Sequence, residues 1–334
     1  MWENMKIYNY FCENQQETQK GMTRLAIVIP CYNEEAVIDD TAAEVLGILG
    51  VLAERGEISA DSFVLFVNDG STDGTWQLIE QQHARHCEVK GLSLLGNVGQ
   101  QNALMAGMMT VRESVDVVVT IDADLQDDIT CLGQMLAHYR EGCDVVYGVR
   151  ESREVNGYFK RTSARLFYRL QRVLGVRNVD NHADFRLLSR RALDELARYK
   201  ERVLYLRGIV PLLGLKSAEV CYRFRPRKAG TSKYTIGKMV NLGVSGITGF
   251  TAKPINYIIG TGCLFLVVSF FMMLYILWSF IAGRAVSGWT SIMLSLWFIG
   301  AMILLSIGVI GKYIANIFAE VKRRPLYHVE EFLD

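Results

Sequence analysis

Between residues 24 and 150, short apolar runs alternate with longer amphipathic ones, and no other feature constrains the fold as tightly. "RLAIVIP", "SFVLFVND", "GLSLLG", "VDVVVTID" and "DVVYGVR" read as strands. "EEAVIDDTAAEVLGILGVLAERG", a segment opening at "STDGTWQLIEQQ", and "GQQNALMAGMMTVRE" read as the helices between them. This β-α-β rhythm predicts an α/β fold with a mostly parallel sheet and helices on both faces. Ligands of such sheets bind at the carboxyl ends of the strands. Three polar motifs fall there: "PCYNEE" after the first strand, "NDGSTDG" after the second and "DADLQDD" after the fourth.

The last of these crowds Asp122, Asp124, Asp127 and Asp128 onto the end of a Val-rich run. Like charges so close repel unless they share something positive. Hard carboxylates at one strand end suit Mg²⁺ or Mn²⁺, ions that keep several waters and bind substrate phosphates through one or two carboxylates. A nucleotide diphosphate is then the natural ligand. Plainer explanations stand beside this for the other motifs. "NDGSTDG" suits a turn with a helix N-cap, and "PCYNEE" an acidic helix start. Neither a Walker A sequence nor Gly-x-Gly-x-x-Gly follows the first strand, so P-loop NTPases and dinucleotide-dependent dehydrogenases lack their motifs here.

The charge balance, Lys+Arg 36 against Asp+Glu 35 in 334 residues, creates no global field, and nucleic-acid binding does not follow from it. The seven cysteines are odd in number and form no Cys-x-x-Cys pair, which argues against a zinc site or disulfide framework and fits a reducing compartment. Residues 1–22 are polar, lack the apolar segment of a signal peptide, and read as a poorly ordered extension.

The apolar excess lies after residue 254. Residues 255–282 and 289–311 carry no charged side chain, and only "GRAVSG" separates them. About 20 apolar residues cross a bilayer core, so the expectation is a C-terminal transmembrane hairpin, with a buried core helix as the alternative for the first run. Lys253 precedes the pair and Lys322, Arg323 and Arg324 follow it, against Arg284 alone in the connector. That bias places the large N-terminal region and both termini in the cytoplasm. Segment 159–175 has a basic and an apolar face, and 234–250 is a weaker second case; each suits either a membrane surface or packing onto the sheet.

"IVIPCYNEE", "VNDGSTDGT", "NVGQQNALMAG", "DADLQDD", "DFRLLSRRAL" and "AGTSKYTIGKM" stand in the order found in glycosyltransferase family 2, which residues 23–330 resemble. With the two C-terminal runs they closely resemble the polyisoprenyl-phosphate glycosyltransferases, among them the bactoprenol glucosyltransferases and the dolichol-phosphate mannose synthases. The resemblance implies a GT-A fold and inverting transfer of a sugar from a nucleotide sugar to undecaprenyl phosphate, at the cytoplasmic face of a bacterial inner membrane. UDP-glucose is the favoured donor; an aminoarabinose derivative, N-acetylglucosamine and mannose stay open. So does a non-catalytic scaffold that binds the lipid carrier. The implied partners are the nucleotide sugar, undecaprenyl phosphate, the lipid bilayer and further copies of the chain, with a homotetramer as the expected assembly. The implied organisation is an extension (1–22), a catalytic domain (23–233), a juxtamembrane segment (234–253), two spans (254–318) and a tail (319–334).

By the same resemblance, Pro30, Tyr32, Glu34 and Asp69 line the nucleotide pocket, and Asp122 and Asp124 form the Asp-x-Asp motif that holds Mg²⁺ or Mn²⁺ and the diphosphate. Gln126 follows in its usual place, and Arg150 and Arg161 contact the diphosphate. Asp184 matches a carboxylate proposed as base; it and Arg186, with Asp124, are the candidate catalytic groups. The plainer reading of Asp184 is an ion pair with Arg186. Arg225, Arg227 and Lys233 would meet the acceptor phosphate. That phosphate is already anionic at neutral pH, so a strong base is less necessary than for a hydroxyl. Two positions depart from the family: Asn68 where Asp is usual, and Gln100 where Lys or His often stands.

Overall fold

Eight strands form one sheet in the computed structural model, which describes residues 22–150, 182–199, 201, 205–222 and 288–334, with isolated positions 258, 264, 267 and 271. The first half runs β1 (Leu25–Cys31), α1 (Ile38–Glu54), β2 (Phe63–Asn68), α2 (Thr75–Arg85), β3 (Val89–Leu94), α3 (Gln100–Val111), β4 (Val117–Thr120), α4 (Leu132–Arg140) and β5 (Val145–Arg150). Then come β6 (His182–Ser189), α5 (Arg190–Leu196), α6 (Leu206–Leu212), β7 (Ser217–Tyr222), α7 (Trp289–Val321) and β8 (Val329–Leu333). The strand order is β7-β5-β6-β4-β1-β2-β3-β8.

The centre, β4-β1-β2-β3, is parallel. Every residue of β2 is buried, as expected of a strand covered on both faces. Helix α1 buries Ile38, Thr41, Ala42, Val45, Leu49 and Leu52, a spacing of three and four that makes one apolar stripe. Helix α3 approaches the sheet closely because residue 107 is glycine. A Cβ there would lie 2.5 Å from Val28 Cγ1 and 2.7 Å from Val67 Cγ2. Gly107→Ala is expected to cost about 1–3 kcal/mol by overpacking. Urea unfolding reads this as a lower midpoint at unchanged slope.

The flanks are mixed. Strand β6 inserts antiparallel between β4 and β5, β7 runs parallel to β5, and β8 lies antiparallel on β3. In register, Arg186 faces Thr120, and the Thr120 hydroxyl donates to the Asp184 carbonyl 2.5 Å away. Strand β6 therefore brings Asp184 to the end of β4, where "DADLQDD" begins.

The chain divides into two compact units. One is Met1–Arg161, Asn178–Lys233 and Arg324–Asp334, and holds the sheet; the other is Thr162–Arg177 and Tyr234–Arg323, and holds α7.

The expected membrane hairpin is corrected. Among the described residues, no helix is long and apolar enough to cross a membrane. The run 289–311 forms part of a longer helix, Trp289–Val321, which continues through Lys312, Asn316 and Glu320. A charge-free run states composition only; the helix that forms, with the side chains it carries, decides what it can cross. Apart from single positions, the run 255–282 lies outside the described residues. The multi-pass placement in an inner membrane, the bilayer as partner, and transfer to undecaprenyl phosphate at a cytoplasmic membrane face fall with the hairpin.

Candidate active site at the carboxyl ends of the strands

The first two motifs are knitted to each other. After β1, Asn33 takes a left-handed conformation (φ 54°), and its N–H donates to Ser71 Oγ at 3.0 Å. The Thr72 N–H donates back to Asn33 Oδ1 at 2.8 Å, and the Glu34 N–H to Thr75 Oγ1 at 2.9 Å. Gly70 (φ 63°) passes so close to the next loop that a Cβ would sit 2.5 Å from the Asn97 nitrogen, so no side chain fits. Pro30 pairs with Val67 across β1 and β2, and Tyr32 is 40% exposed at the strand's end. Asp69 is buried, and its two oxygens accept the N–H groups of Val98 (2.7 Å) and Gly99 (3.0 Å). Burial pushes its pKa up, against the pull of those two donors.

The four carboxylates of "DADLQDD" divide into two kinds. Asp128 caps a short 3₁₀ turn, Ile129–Cys131, accepting from the Thr130 N–H at 3.2 Å. Asp127 is buried and accepts from the Tyr222 hydroxyl (2.5 Å) and from Arg150 Nη2 (3.0 Å) and Nε (3.2 Å). Between these and the strand, Leu125 adopts a left-handed conformation (φ 44°), with its N–H on the Asp122 carbonyl at 3.2 Å. An observed backbone outlier of this kind is a frequent companion of functional sites. The Gln126 N–H reaches Asp124 Oδ1 at 3.4 Å. Asp122 and Asp124 are thus set apart from the two carboxylates that serve local structure.

Asp122 is half-buried and accepts from Gln100 Nε2 at 2.7 Å. Burial first, then the charges of Asp184, Asp127 and Asp124, raise its pKa to about 7, against the pull of Arg207. Asp184 has the opposite fate. It is buried, and Oδ1 accepts from Arg186 Nη2 (2.6 Å) and Arg207 Nε (3.1 Å), while Oδ2 accepts from Arg207 Nη2 (3.2 Å) and Gln101 Nε2 (3.3 Å). Burial opposes its charge, yet Arg207 and then Arg186 outweigh burial and hold its pKa at about 2. Gln100 Nε2 also reaches Asp184 Oδ2 at 3.4 Å, so one amide touches both carboxylates.

The donor set suits a hard divalent cation. Asp122 is crowded by like charges, and Asp127 Oδ2 is buried without a hydrogen-bond partner. Among the described residues, no group of three or more His, Cys, Asp or Glu could by itself hold a metal ion. Two carboxylates completed by phosphate oxygens and water need no such cage.

The structure gathers Asp122, Asp124, Asp184 and Arg186 at one end of the sheet, with Arg150 engaged on Asp127. Arg161, Arg225, Arg227 and Lys233 lie outside the described residues. Arg207 and Gln101 escaped the sequence reading. Arg207 sits in "YLRGIV", a stretch without a motif, and only its approach to Asp184 marks it.

Residues 26–197 match the model of glycosyl transferase family 2. The chain belongs to that family. The matched stretch runs from β1 to the end of α5 and contains Asp69, Asp122, Asp124, Asp184 and Arg186; Arg207 lies beyond it. The glycosyltransferase is 45% identical over 306 residues to the uncharacterised glycosyltransferase YkoT of Bacillus subtilis (strain 168), with 92% of this chain and 91% of that protein covered. It is 33% identical over 313 residues to the SfII prophage-derived bactoprenol glucosyl transferase of Shigella flexneri, with 92% and 98% covered. Among solved structures it resembles glucosyl-3-phosphoglycerate synthase from Mycobacterium tuberculosis in complex with Mn²⁺, UDP and phosphoglyceric acid. That likeness has a TM-score of 0.45 and 19% identity, covering 70% of this chain and 78% of that one.

Proposed function

We propose that this glycosyltransferase takes its sugar from a UDP-sugar and works with Mg²⁺ or Mn²⁺ at Asp122 and Asp124. The observation that carries the reading is the acidic strand end, where Asp122 and Asp124 stand apart from the structural Asp127 and Asp128, and where burial and then the neighbouring carboxylates push Asp122 up to about 7. When bound there, the cation would supply charge stabilisation to the departing diphosphate. Pro30, Tyr32, Glu34 and the loop held by Asp69 would shape the nucleoside end of the pocket. Gln126 would sit beside the diphosphate, and Arg161 would add positive charge there.

Asp184 fits an orienting role better than that of a base. A carboxylate held at about 2 by two guanidiniums has little affinity for a proton at neutral pH. Fixed on Arg186, it would anchor Arg207 beside Asp122. Finer kinship, with the polyisoprenyl-phosphate enzymes, is supported by the order of the six motifs and by the bactoprenol relative. On that reading Arg225, Arg227 and Lys233 would contact the acceptor phosphate.

The test is release of nucleoside diphosphate from UDP-glucose, UDP-N-acetylglucosamine or GDP-mannose, with Mn²⁺ or EDTA. Free UDP that appears from a UDP-sugar only with metal is expected. No turnover with any donor, together with no metal-dependent nucleotide binding, would favour the non-catalytic scaffold.

A further inference from the structure

The C-terminal strand ends far along the sequence from the strand-end motifs, yet a chain of hydrogen bonds joins them. Strand β8 pairs with β3 through Gly91 and Leu333, Leu92 and Phe332, Ser93 and Glu331, then Leu94 and Val329. The register shifts between Ser93 and Leu94, which leaves Glu330 as the extra residue of a bulge. Bulges re-aim side chains, and this one places Glu330 Oε2 3.0 Å from Ser93 Oγ. Ser93 Oγ in turn lies 3.2 Å from Asn68 Nδ2, and Asn68 Oδ1 accepts the Ser71 N–H at 3.1 Å. Ser93 and Asn68 are 2% and 4% exposed, so water does not compete for these groups.

Proton counting gives the chain a direction. An ionised glutamate only accepts, so Ser93 must give Glu330 its one hydrogen. The Ser93 oxygen can then only accept from Asn68, which turns the amide so that Nδ2 faces Ser93 and Oδ1 faces Ser71. Without Glu330 the Ser93 hydroxyl is free to rotate, and Asn68 is held in its orientation by the Ser71 N–H alone, so its support from the β3 side is lost. The same logic suits an amide rather than a carboxylate at residue 68. A carboxylate could not donate to Ser93, and it would compete with Glu330 for the single hydroxyl proton.

We propose that β8 is a positioning element for the nucleotide-binding loop, acting from Glu330 through Ser93 and Asn68 on Ser71 and Asp69. This rests on the nucleotide reading of the site. Glu330 touches no substrate; it sets the loop that does.

The experiment measures UDP affinity in the presence of Mn²⁺ by calorimetry, with melting temperatures alongside, on the full chain. Glu330→Ala is expected to weaken UDP about fivefold, the worth of one ordinary hydrogen bond. Glu330→Gln, whose amide oxygen still accepts, should restore most of the affinity. Ser93→Ala should lose as much as Glu330→Ala, and the double variant no more than either, because the residues act in one chain. Wild-type binding left unchanged by Glu330→Ala overturns the inference while leaving the nucleotide reading intact. So does a Gln variant as weak as the Ala variant at the same melting temperature, or additive losses in the double variant. If Glu330→Ala fails to fold, Glu330→Gln and Ser93→Ala decide by the same criteria. Wild-type protein that binds no UDP overturns the nucleotide reading itself, and the inference with it.

Discussion

Replacing Asp122 by Asn raises the melting temperature of the metal-free protein at pH 8 and abolishes metal-dependent UDP binding. Both effects come from one carboxyl. Its pKa is 3.8 as an ordinary aspartate and about 7 in the fold, so between those values the folded state holds more protons than the unfolded one. Stability from this group is complete below about 4, falls as pH rises through the window, and is fully lost above about 7. An amide removes that penalty and can still accept from Gln100 Nε2, now at 2.7 Å. It cannot supply the charge that a divalent cation requires. Loss of a metal contact should cost at least about a hundredfold in metal-dependent affinity, the upper range for supporting residues. Thermal melts in EDTA at pH 5.5 and pH 8, then with Mn²⁺ and UDP, separate the two effects. In wild-type protein the gain from Mn²⁺ with UDP should be larger at pH 8. An Asn variant that melts lower in EDTA and still binds UDP with Mn²⁺ would remove Asp122 from the cation site.

Asp184→Ala is expected to destabilise the fold by about 3–5 kcal/mol. Arg186 is 1% exposed, and Asp184 stands 2.6 Å from its Nη2; removing the carboxylate leaves a buried guanidinium without its counter-charge. Burial lowers the pKa of Arg186, and Asp184 is the main force against that. Activity lost in this variant therefore reports on the fold before it reports on proton transfer. The discriminating partner is Asp184→Ala combined with Arg186→Leu. Taking both charges out of the interior should recover much of the lost stability, since breaking a buried pair costs more than replacing it with apolar groups. Urea unfolding of wild type, single and double variants measures this. Wild-type stability in the single variant would contradict the anchoring role.

The parallel centre of the sheet was legible because β1, β2 and β4 are continuous apolar runs between helices with clear stripes. Strand β6 was not, since "HADFRLLS" carries Asp184 and Arg186 on buried positions, where period-two reasoning looks for apolar residues. Strand β8, "VEEFL", is almost wholly exposed and reads as a polar tail; only its pairing with β3 reveals it. The carboxylates of "DADLQDD" pointed to the site, but their division did not show in sequence. Asp127 is claimed by Arg150 and Tyr222, 23 and 95 residues away. Arg207 meets Asp184 across 23 residues with no spacing rule to announce it. The C-terminal runs misled in the other direction. Their composition suited two spans, but a composition does not set the bounds of a helix, and the described helix continues through Lys312 and Glu320.

The central claim is that Asp122 and Asp124 hold a divalent cation against a UDP diphosphate. Calorimetric titration of UDP into the full chain, with Mn²⁺ and then with EDTA, tests it most directly, beside Asp124→Ala. Saturable binding that needs Mn²⁺ and is lost in the variant is the expected result. Binding that is equal in EDTA, or that survives Asp124→Ala unchanged, would contradict it.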